Sequence, residues 1–247
     1  MKRFSISLLA VTLLAGFVPV SAATSRPLIF GGSGCEELQV ILPTPETRAR
    51  PFVPDVFELD ATGGVVQVFV GFVSCARLEL KGKDGPGMVS EVGIAIRPPR
   101  GESGSHVYAL WQLSDRVDMR KALSKLGLAG GVADISFVWN ELAGGTMSAD
   151  ASVDWKDAVY SVQSAGTAPL RPVGVSRSTW WHAGRKGVMR IDYLLSELAI
   201  GTTGGTVTVE GGSPLADLLG GGSQVAAVPT YRFHFRASAR RVTGISV

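Results

Sequence analysis

The residues that could carry out chemistry are few, and no catalytic motif brings them together. The three histidines, His106, His182 and His234, are too far apart to give the ligand spacing of a metal site. The sequence has no Gly-x-Ser-x-Gly, no phosphate-binding P-loop and no dinucleotide-binding glycine motif at a strand-to-helix junction. We therefore predict neither a metal nor a cofactor. His182 stays a candidate for proton transfer because histidine titrates near neutral pH, although a structural role is commoner.

Tryptophan is the other conspicuous residue type. Tryptophans most often pack in a core, but they can also line an apolar cavity in which a few polar groups orient a ligand. Trp180 and Trp181 are adjacent in a predicted strand, so their side chains should point to opposite faces. His182 would then share the face of Trp180. The sequence has five tryptophans: Trp111, Trp139, Trp155, Trp180 and Trp181.

The N-terminal residues predict export. Lys2 and Arg3 precede an apolar run over residues 6–18, and small residues up to Ala22 form a cleavage site. We predict a signal peptide over residues 1–22 that is cut after Ala22, and hence a secreted or periplasmic protein. The apolar run is short for a membrane span, so no integral span should remain after cleavage. An uncleaved anchor is the alternative.

The charge and the cysteines fit an exported, non-nucleic-acid-binding protein. Loss of Lys2 and Arg3 lowers the formal net charge from +3 to +1. Without a clustered basic surface, we expect no nucleic-acid partner. The only cysteines are Cys35 and Cys75, and in an oxidising compartment they should form one disulfide. It would close a loop of about 40 residues, worth about 4 kcal/mol in the chain-entropy model.

One helix stands out in a chain whose other segments have strand character. Ser114 and Asp115 are good N-cap residues after the predicted strand over residues 106–114. Gly127 is placed to end the helix. We predict that the helix packs an apolar stripe on the rest of the domain; this stripe consists of Val117, Met119, Ala122, Leu123 and Leu126.

The spacing of strands and turns predicts the fold class. About a dozen short strands separated by glycine-rich turns are typical of a mainly β protein, a single antiparallel β-barrel or sandwich with one substantial helix. Residues 23–34 are small, polar and glycine-rich, and we predict them to be a flexible lead-in. Residues 35–247 should form one domain, because no linker or internal repeat divides them.

Several segments resemble the acetoacetate decarboxylase-like family of β-barrel proteins. They are VSEVGIAI at 89–96, GLAGGVAD at 127–134, WWHAGRKG at 180–187 and GSPLADLLG at 212–220. The resemblance implies a barrel with a glutamate on an early strand facing the interior, at the position of Glu91. It also implies a lysine pair after the helix, one lysine of which forms a Schiff base with a keto acid.

This chain departs from the family at the lysine pair. Gly130 and Gly131 stand at those positions, and no lysine lies between Lys125 and Lys156. A Schiff base needs an amine whose pKa is lowered by its surroundings, and Lys125 belongs to the polar side of the predicted helix. We therefore expect the chain to lack imine chemistry. The sequence allows Glu91 to face either the interior or water.

The function predicted from these observations is binding of a small apolar or amphipathic molecule in a barrel cavity, without catalysis. The ligand would contact Glu91, Tyr108, Trp111, Trp180 and His182. A second hypothesis is a lyase or hydrolase that uses Glu91 as general acid and base. A third is a structural or interaction module whose barrel interior is filled by side chains.

Overall fold

A computed structural model describes residues 28–99, 102–126, 130–141, 146–155, 158–167, 169–184, 187–221 and 224–245 of the 247-residue chain. The predicted signal peptide and its cleavage site lie outside these residues. The described part is mainly β, as predicted. Its strands are β1 Leu28–Pro45, β2 Val65–Leu80, β3 Gly87–Ala95, β4 Ser105–Ser114, β5 Gly130–Val132, β6 Asp134–Glu141, β7 Thr146–Trp155, β8 Ala158–Thr167, β9 Arg171–Gly184, β10 Gly187–Val209 and β11 Gln224–Ile245.

Helices are short by comparison. They are α1 Glu46–Ala49, α2 Val117–Leu126 and α3 Pro214–Leu219, with a 3-10 turn at Arg50–Phe52. Within the described residues, no helix is long and apolar enough to cross a membrane. The substantial helix of the sequence analysis is α2, whose ten residues make it the longest of the three.

The strands form one large sheet in the order β11-β1-β2-β3-β4-β9-β10-β8-β7-β6. A further pairing between β10 and β11 closes a circuit of the first seven strands in this order. We predicted an antiparallel arrangement, but the sheet is mixed, because β4 runs parallel to both β5 and β9. The long excursion through α2 and β5–β8 explains this: a parallel neighbour needs a crossover connection, and this segment supplies one.

Strand β1 begins earlier than the sequence analysis allowed. Residues 28–34, which we predicted to be a flexible lead-in, are part of β1 and pair with both β2 and β11. Leu28 and Phe30 are buried there. Cys35 and Cys75 face each other across the β1–β2 pair, and they form the predicted disulfide with their Cα atoms 4.1 Å apart.

Two hydrophobic cores lie on opposite faces of the central strands. The larger core includes Val68, Val70 and Phe72 of β2, together with residues of β6–β8 and α3. The smaller core lies on the other face and includes Val73 and Cys75 of β2, with residues of β1, β3, β4, β9–β11 and α2. The alternation of side chains along β3 and β4 therefore serves two packed faces rather than one face and water.

Helix α2 packs on the smaller core through part of the predicted stripe. Met119, Ala122 and Leu123 are buried, but Val117 is 50% exposed. The prediction for Val117 was wrong because a helix turns by about 100° per residue, which puts Val117 about 160° from Met119. The side chain of Leu126 and the predicted cap at Gly127 lie outside the described part of the chain.

Candidate functional site

Strand β3 places Glu91 on the face of the smaller core, where its side chain is buried. Val89 and Gly93 share this face, because Val89 belongs to the smaller core and Gly93 lies against Val107 and Trp180. Glu91 therefore points inward, which is the alternative that the resemblance implied and the sequence left open.

Both carboxylate oxygens of Glu91 are occupied. Arg240 of β11 donates a close hydrogen bond from Nη1 to Oε1 and forms a buried ion pair. The Tyr193 hydroxyl of β10 donates to Oε2 over 3.1 Å. A buried charge is tolerated only when it is paired and hydrogen-bonded, and Glu91 satisfies both conditions.

Arg240 is enclosed as tightly as its partner. Its guanidinium lies 4.5 Å from the ring centre of Tyr193 and 5.4 Å from that of Phe30. Burial is the largest single influence and lowers the pKa of Arg240, but the charges of Glu91, Tyr193 and Glu37 together with the hydrogen bond to Glu91 outweigh it, so the pKa is raised. The guanidinium therefore stays charged and neutralises the charge of Glu91.

Tyr193 connects the ion pair to β4. Its hydroxyl accepts a close hydrogen bond from Nε2 of Gln112, the residue that pairs with Glu91 in the β3–β4 register. Burial, followed by the charge of Glu91, raises the pKa of Tyr193 well above its ordinary value, so the group stays a hydroxyl. The other amide atom, Oε1 of Gln112, is buried and accepts no hydrogen bond from any residue that the structure describes.

A second carboxyl, Glu37 of β1, belongs to the same site. The amide of Gln39 donates to Oε1 of Glu37 over a long 3.4 Å. Burial raises the pKa of Glu37 to about 8; the nearby charge of Glu91 adds to the rise, and Arg240 opposes it. Glu37 is therefore mostly protonated at neutral pH, whereas Glu91 is paired with a cation.

These groups surround a cavity of about 180 Å³. Its polar wall is formed by Glu37, Glu91, Tyr193 and Arg240. The rest of the wall is mixed. Its apolar side chains are Phe69, Val107, Trp180, Leu195 and Phe233, and its polar ones are Gln39, Ser105, Ser176, Arg177 and Ser178. Trp180 packs on Tyr193 with ring centres 5.6 Å apart. The cavity thus combines charged and polar groups with apolar and aromatic side chains.

Of the predicted ligand-contacting residues, the structure brings together Glu91 and Trp180 in this cavity. Trp181, as predicted, points to the opposite face, where it packs near Phe57 with ring centres 6.1 Å apart. His182 does not line the cavity; its ring stacks on Tyr108 at 5.9 Å, and its Nδ1 lies 3.0 Å from the Ala109 carbonyl oxygen.

Tyr108 and Trp111 both lie on the face of the larger core. Trp111 lies on this face because of a β-bulge. Val92 pairs with Trp111 whereas Gly93 pairs with Ala109, which leaves Leu110 as an extra residue in β4. The bulge reverses the alternation, so Gln112 instead of Trp111 reaches the side of Glu91. Trp111 borders a separate open hollow of about 530 Å³.

Comparison with known proteins identifies the fold. Neither a protein-family model nor a curated protein sequence matches the chain. Solved structures do match. The enduracididine biosynthesis enzyme MppR with HEPES bound gives a TM-score of 0.59 at 14% identity, covering 90% of this chain and 87% of that one. The chain has an acetoacetate decarboxylase-like fold.

Two further structures agree. Acetoacetate decarboxylase from Legionella pneumophila subsp. pneumophila str. Philadelphia 1 gives a TM-score of 0.57 at 12% identity and covers 96% of each chain. An acetoacetate decarboxylase-like enzyme from Sphingomonas wittichii RW1 gives 0.53 at 14% identity, covering 88% of this chain and 91% of that one. At these identities the likeness shows a shared fold and nothing beyond it.

Within this acetoacetate decarboxylase-like fold, the two glycines after α2 leave little room for side chains. Gly130 pairs with Gln112, and a Cβ at Gly130 would overlap the Gln112 carbonyl oxygen. A Cβ at Gly131 would lie 2.5 Å from Nε1 of Trp155. No lysine lines the Glu91 cavity among the described residues, whose lysines, Lys81, Lys83, Lys121 and Lys125, are exposed.

The arrangement supports some chemistry better than others. Glu91 accepts one hydrogen bond on each carboxylate oxygen, from Arg240 and Tyr193, and these bonds hold the carboxylate in place. Glu37 carries its proton at neutral pH and faces the cavity, which suits a hydrogen-bond donor or a general acid. Sequence reasoning missed Glu37 because a polar residue alternating with Leu38 in a strand is typical of a solvent-facing side chain.

Proposed function

We propose that the chain binds a small amphipathic molecule in the Glu91 cavity without forming a covalent imine. The observation that carries this proposal is the cavity of about 180 Å³ between the Glu91–Arg240 ion pair and Trp180. Aromatic and apolar side chains combined with convergent polar groups are typical of a small-molecule site. The cavity also counts against a structural module with a filled interior.

Two further observations support binding over imine chemistry. The described part of the cavity wall offers no lysine amine. MppR, which shares the fold, is described as complexed with pyruvate, so the scaffold admits small molecules. For this chain, we propose that such molecules are held by hydrogen bonds and aromatic contacts alone.

Tryptophan fluorescence tests the binding proposal. Titration with small ketones, aldehydes and carboxylic acids should change the emission of the native protein. Trp180→Phe should remove the response, whereas Trp181→Phe, on the opposite face, should keep it. Borohydride treatment with pyruvate or acetoacetate should leave the mass of the protein unchanged. A stable lysine adduct would overturn the non-covalent proposal, and an absent response across the whole panel would overturn binding.

We also propose that this function is carried out in the periplasm or outside the cell. The Cys35–Cys75 disulfide is consistent with an oxidising compartment. Expression of the full chain in a bacterium, followed by N-terminal sequencing of exported protein, should give a first residue of Ala23. Retention in the cytoplasm with residues 1–22 attached would contradict the proposal.

A second candidate function is proton transfer by a lyase or hydrolase, with Glu37 in the role that the sequence analysis gave to Glu91. The observation that favours it is the pairing, in one cavity, of a mostly protonated carboxyl and a carboxylate held by a cation. The exchange of α-protons of pyruvate for deuterium, followed by NMR, tests this candidate. Exchange should rise with pH through about 8 and disappear in Glu37→Gln. If exchange does not exceed the rate in solvent alone, the proton-transfer function is ruled out.

A further inference from the structure

We propose that the ligand of this cavity is a small organic ammonium ion, whose positive charge pairs with Glu37. This inference rests on the proposed binding function and names the chemical class of the ligand. It follows from the charges, the acceptors and the walls of the cavity.

The charges that face Glu37 leave one carboxylate without a cation. Arg240 is bonded to Glu91, and the two neutralise each other. Tyr193 stays a neutral hydroxyl between them. Arg177 borders the cavity with an exposed side chain, where water screens its charge. When Glu37 is ionised, the interior therefore holds two carboxylates and one enclosed guanidinium, and a cationic ligand would restore neutrality.

The hydrogen-bonding groups also favour a ligand that donates. Glu37 accepts one long bond, from Gln39, which leaves acceptor capacity on its carboxylate. The wall also holds donors, on Gln39, Arg177 and three serines, so the acceptor that favours a donating ligand is the carboxylate of Glu37. An ammonium group supplies N–H donors, whereas an anion would add further acceptors.

The walls and the size of the cavity fit a small organic cation. Trp180, Phe69 and Phe233 present aromatic rings, whose faces attract cations. A volume of about 180 Å³ corresponds to about six water molecules at their liquid volume of about 30 Å³ each. The ligand should therefore be a cation of about six non-hydrogen atoms or fewer.

The pKa of Glu37 gives the proposal a pH dependence. Burial, reinforced by Glu91 and opposed by Arg240, raises this pKa to about 8, so an ammonium ion must displace a proton below that pH. The apparent affinity scales with the ionised fraction of Glu37. From pH 6 to pH 9 that fraction rises about 90-fold for a pKa of about 8, and the affinity should rise with it.

The test uses three probes of similar size on the full mature protein: ethylammonium, ethanol and acetate. Ethylammonium stays protonated to pH 9, since aliphatic amines such as lysine have a pKa of about 10.4. Tryptophan fluorescence titrations at pH 6, 7, 8 and 9 should show ethylammonium binding that tightens steeply up to about pH 8 and then levels off. Ethanol should bind more weakly and without pH dependence, and acetate should not gain affinity as the pH rises.

Two substitutions localise the effect. Glu37→Gln should weaken ethylammonium binding at pH 9 by tenfold or more and abolish the pH dependence. Glu36→Gln is the matched control, because Glu36 binds His234 outside the cavity, and it should behave as the native protein. Ethanol or acetate binding better than ethylammonium would overturn the ammonium proposal and leave the binding function intact. Binding of none of the three, nor of any ketone, aldehyde or acid, would overturn both.

Discussion

Two adjacent residues of β3 each hold a buried tyrosine, on opposite faces of the same strand. Ser90 faces the larger core, where its hydroxyl lies 2.7 Å from that of Tyr160. Glu91 faces the smaller core and accepts from Tyr193. The Ser90 network is completed by Trp111, whose Nε1 donates to Tyr160 over 3.4 Å. One network is neutral and the other contains two charges.

The two networks differ in what a fold needs in order to bury them. In the neutral network, burial raises the pKa of Tyr160 to about 12, which keeps the hydroxyl protonated. The Ser90 hydroxyl also donates to the Gly71 carbonyl oxygen, so the groups of this network satisfy one another without a charge. In the charged network, Glu91 requires Arg240 from a strand at the other end of the chain, and the two border a cavity. The neutral network needs no counter-charge, whereas the charged network has to bring two oppositely charged side chains together.

The largest effect should come from breaking the ion pair. Arg240→Met leaves Glu91 buried without its cation, and we expect the free energy of unfolding to fall by about 3–5 kcal/mol. Urea denaturation measures this loss. The double variant Glu91→Gln with Arg240→Met should recover most of it, because no charge is then left unpaired. Equal destabilisation of the single and double variants would mean that packing, rather than charge, dominates this face.

Tyr193→Phe should have a smaller effect. It removes a hydrogen bond to a charged carboxylate and leaves the Gln112 amide without its acceptor, at a cost of about 1.5–3 kcal/mol. Denaturant unfolding again gives the value. A cost below about half a kcal/mol would contradict the buried contact between Tyr193 and Glu91.

The pH dependence of stability should separate the two faces further. The pKa of Glu37 is about 8 in the folded protein and about 4.5 in its ordinary state, so the folded chain binds the proton more tightly. This contribution is complete below about pH 4.5 and is lost as the pH rises through about 8. In the native protein, the free energy of unfolding should therefore fall by at least about 1.4 kcal/mol over this interval, the equivalent of one pKa unit. In Glu37→Gln this fall should be absent. Unfolding curves at pH 5 and pH 8.5 measure it, and an unchanged fall in the variant would contradict the assignment.

The smallest effect should come from the neutral network. Tyr160→Phe removes hydrogen bonds between neutral groups, and a loss of about 0.5–1.5 kcal/mol is expected. Calorimetric melting can measure this difference if the buffer and protein concentration are held constant. A loss larger than that of Tyr193→Phe would reverse the comparison between the two faces.

Local rules predicted much of the fold from the sequence. Strand alternation placed Trp180 and Trp181 on opposite faces, and two cysteines in a chain with a predicted signal peptide predicted the disulfide. The family resemblance pointed to the acetoacetate decarboxylase-like fold and to Glu91. These inferences depend on residues that are close in sequence or on segments that keep a recognisable pattern.

The rest of the candidate site depends on contacts that local rules do not encode. The extra residue at Leu110 reverses the faces of β4 beyond it, so Trp111 was wrongly grouped with Glu91. Arg240 is 149 residues from Glu91 and appeared in the sequence as part of a short basic pair. Glu37 alternates with buried Leu38, which is the pattern of a strand whose second face meets water; here that face meets a cavity instead.

The pairing of β11 with both β1 and β10 has a consequence for how the protein is made. Strand β11 is synthesised after the other ten described strands, and it is the strand that joins the two ends of the circuit. Until it arrives, β1 and β10 present unpaired edges that can recruit other chains. Contacts of such high sequence separation also form slowly. The Glu91–Arg240 ion pair therefore forms only after β11 has been synthesised.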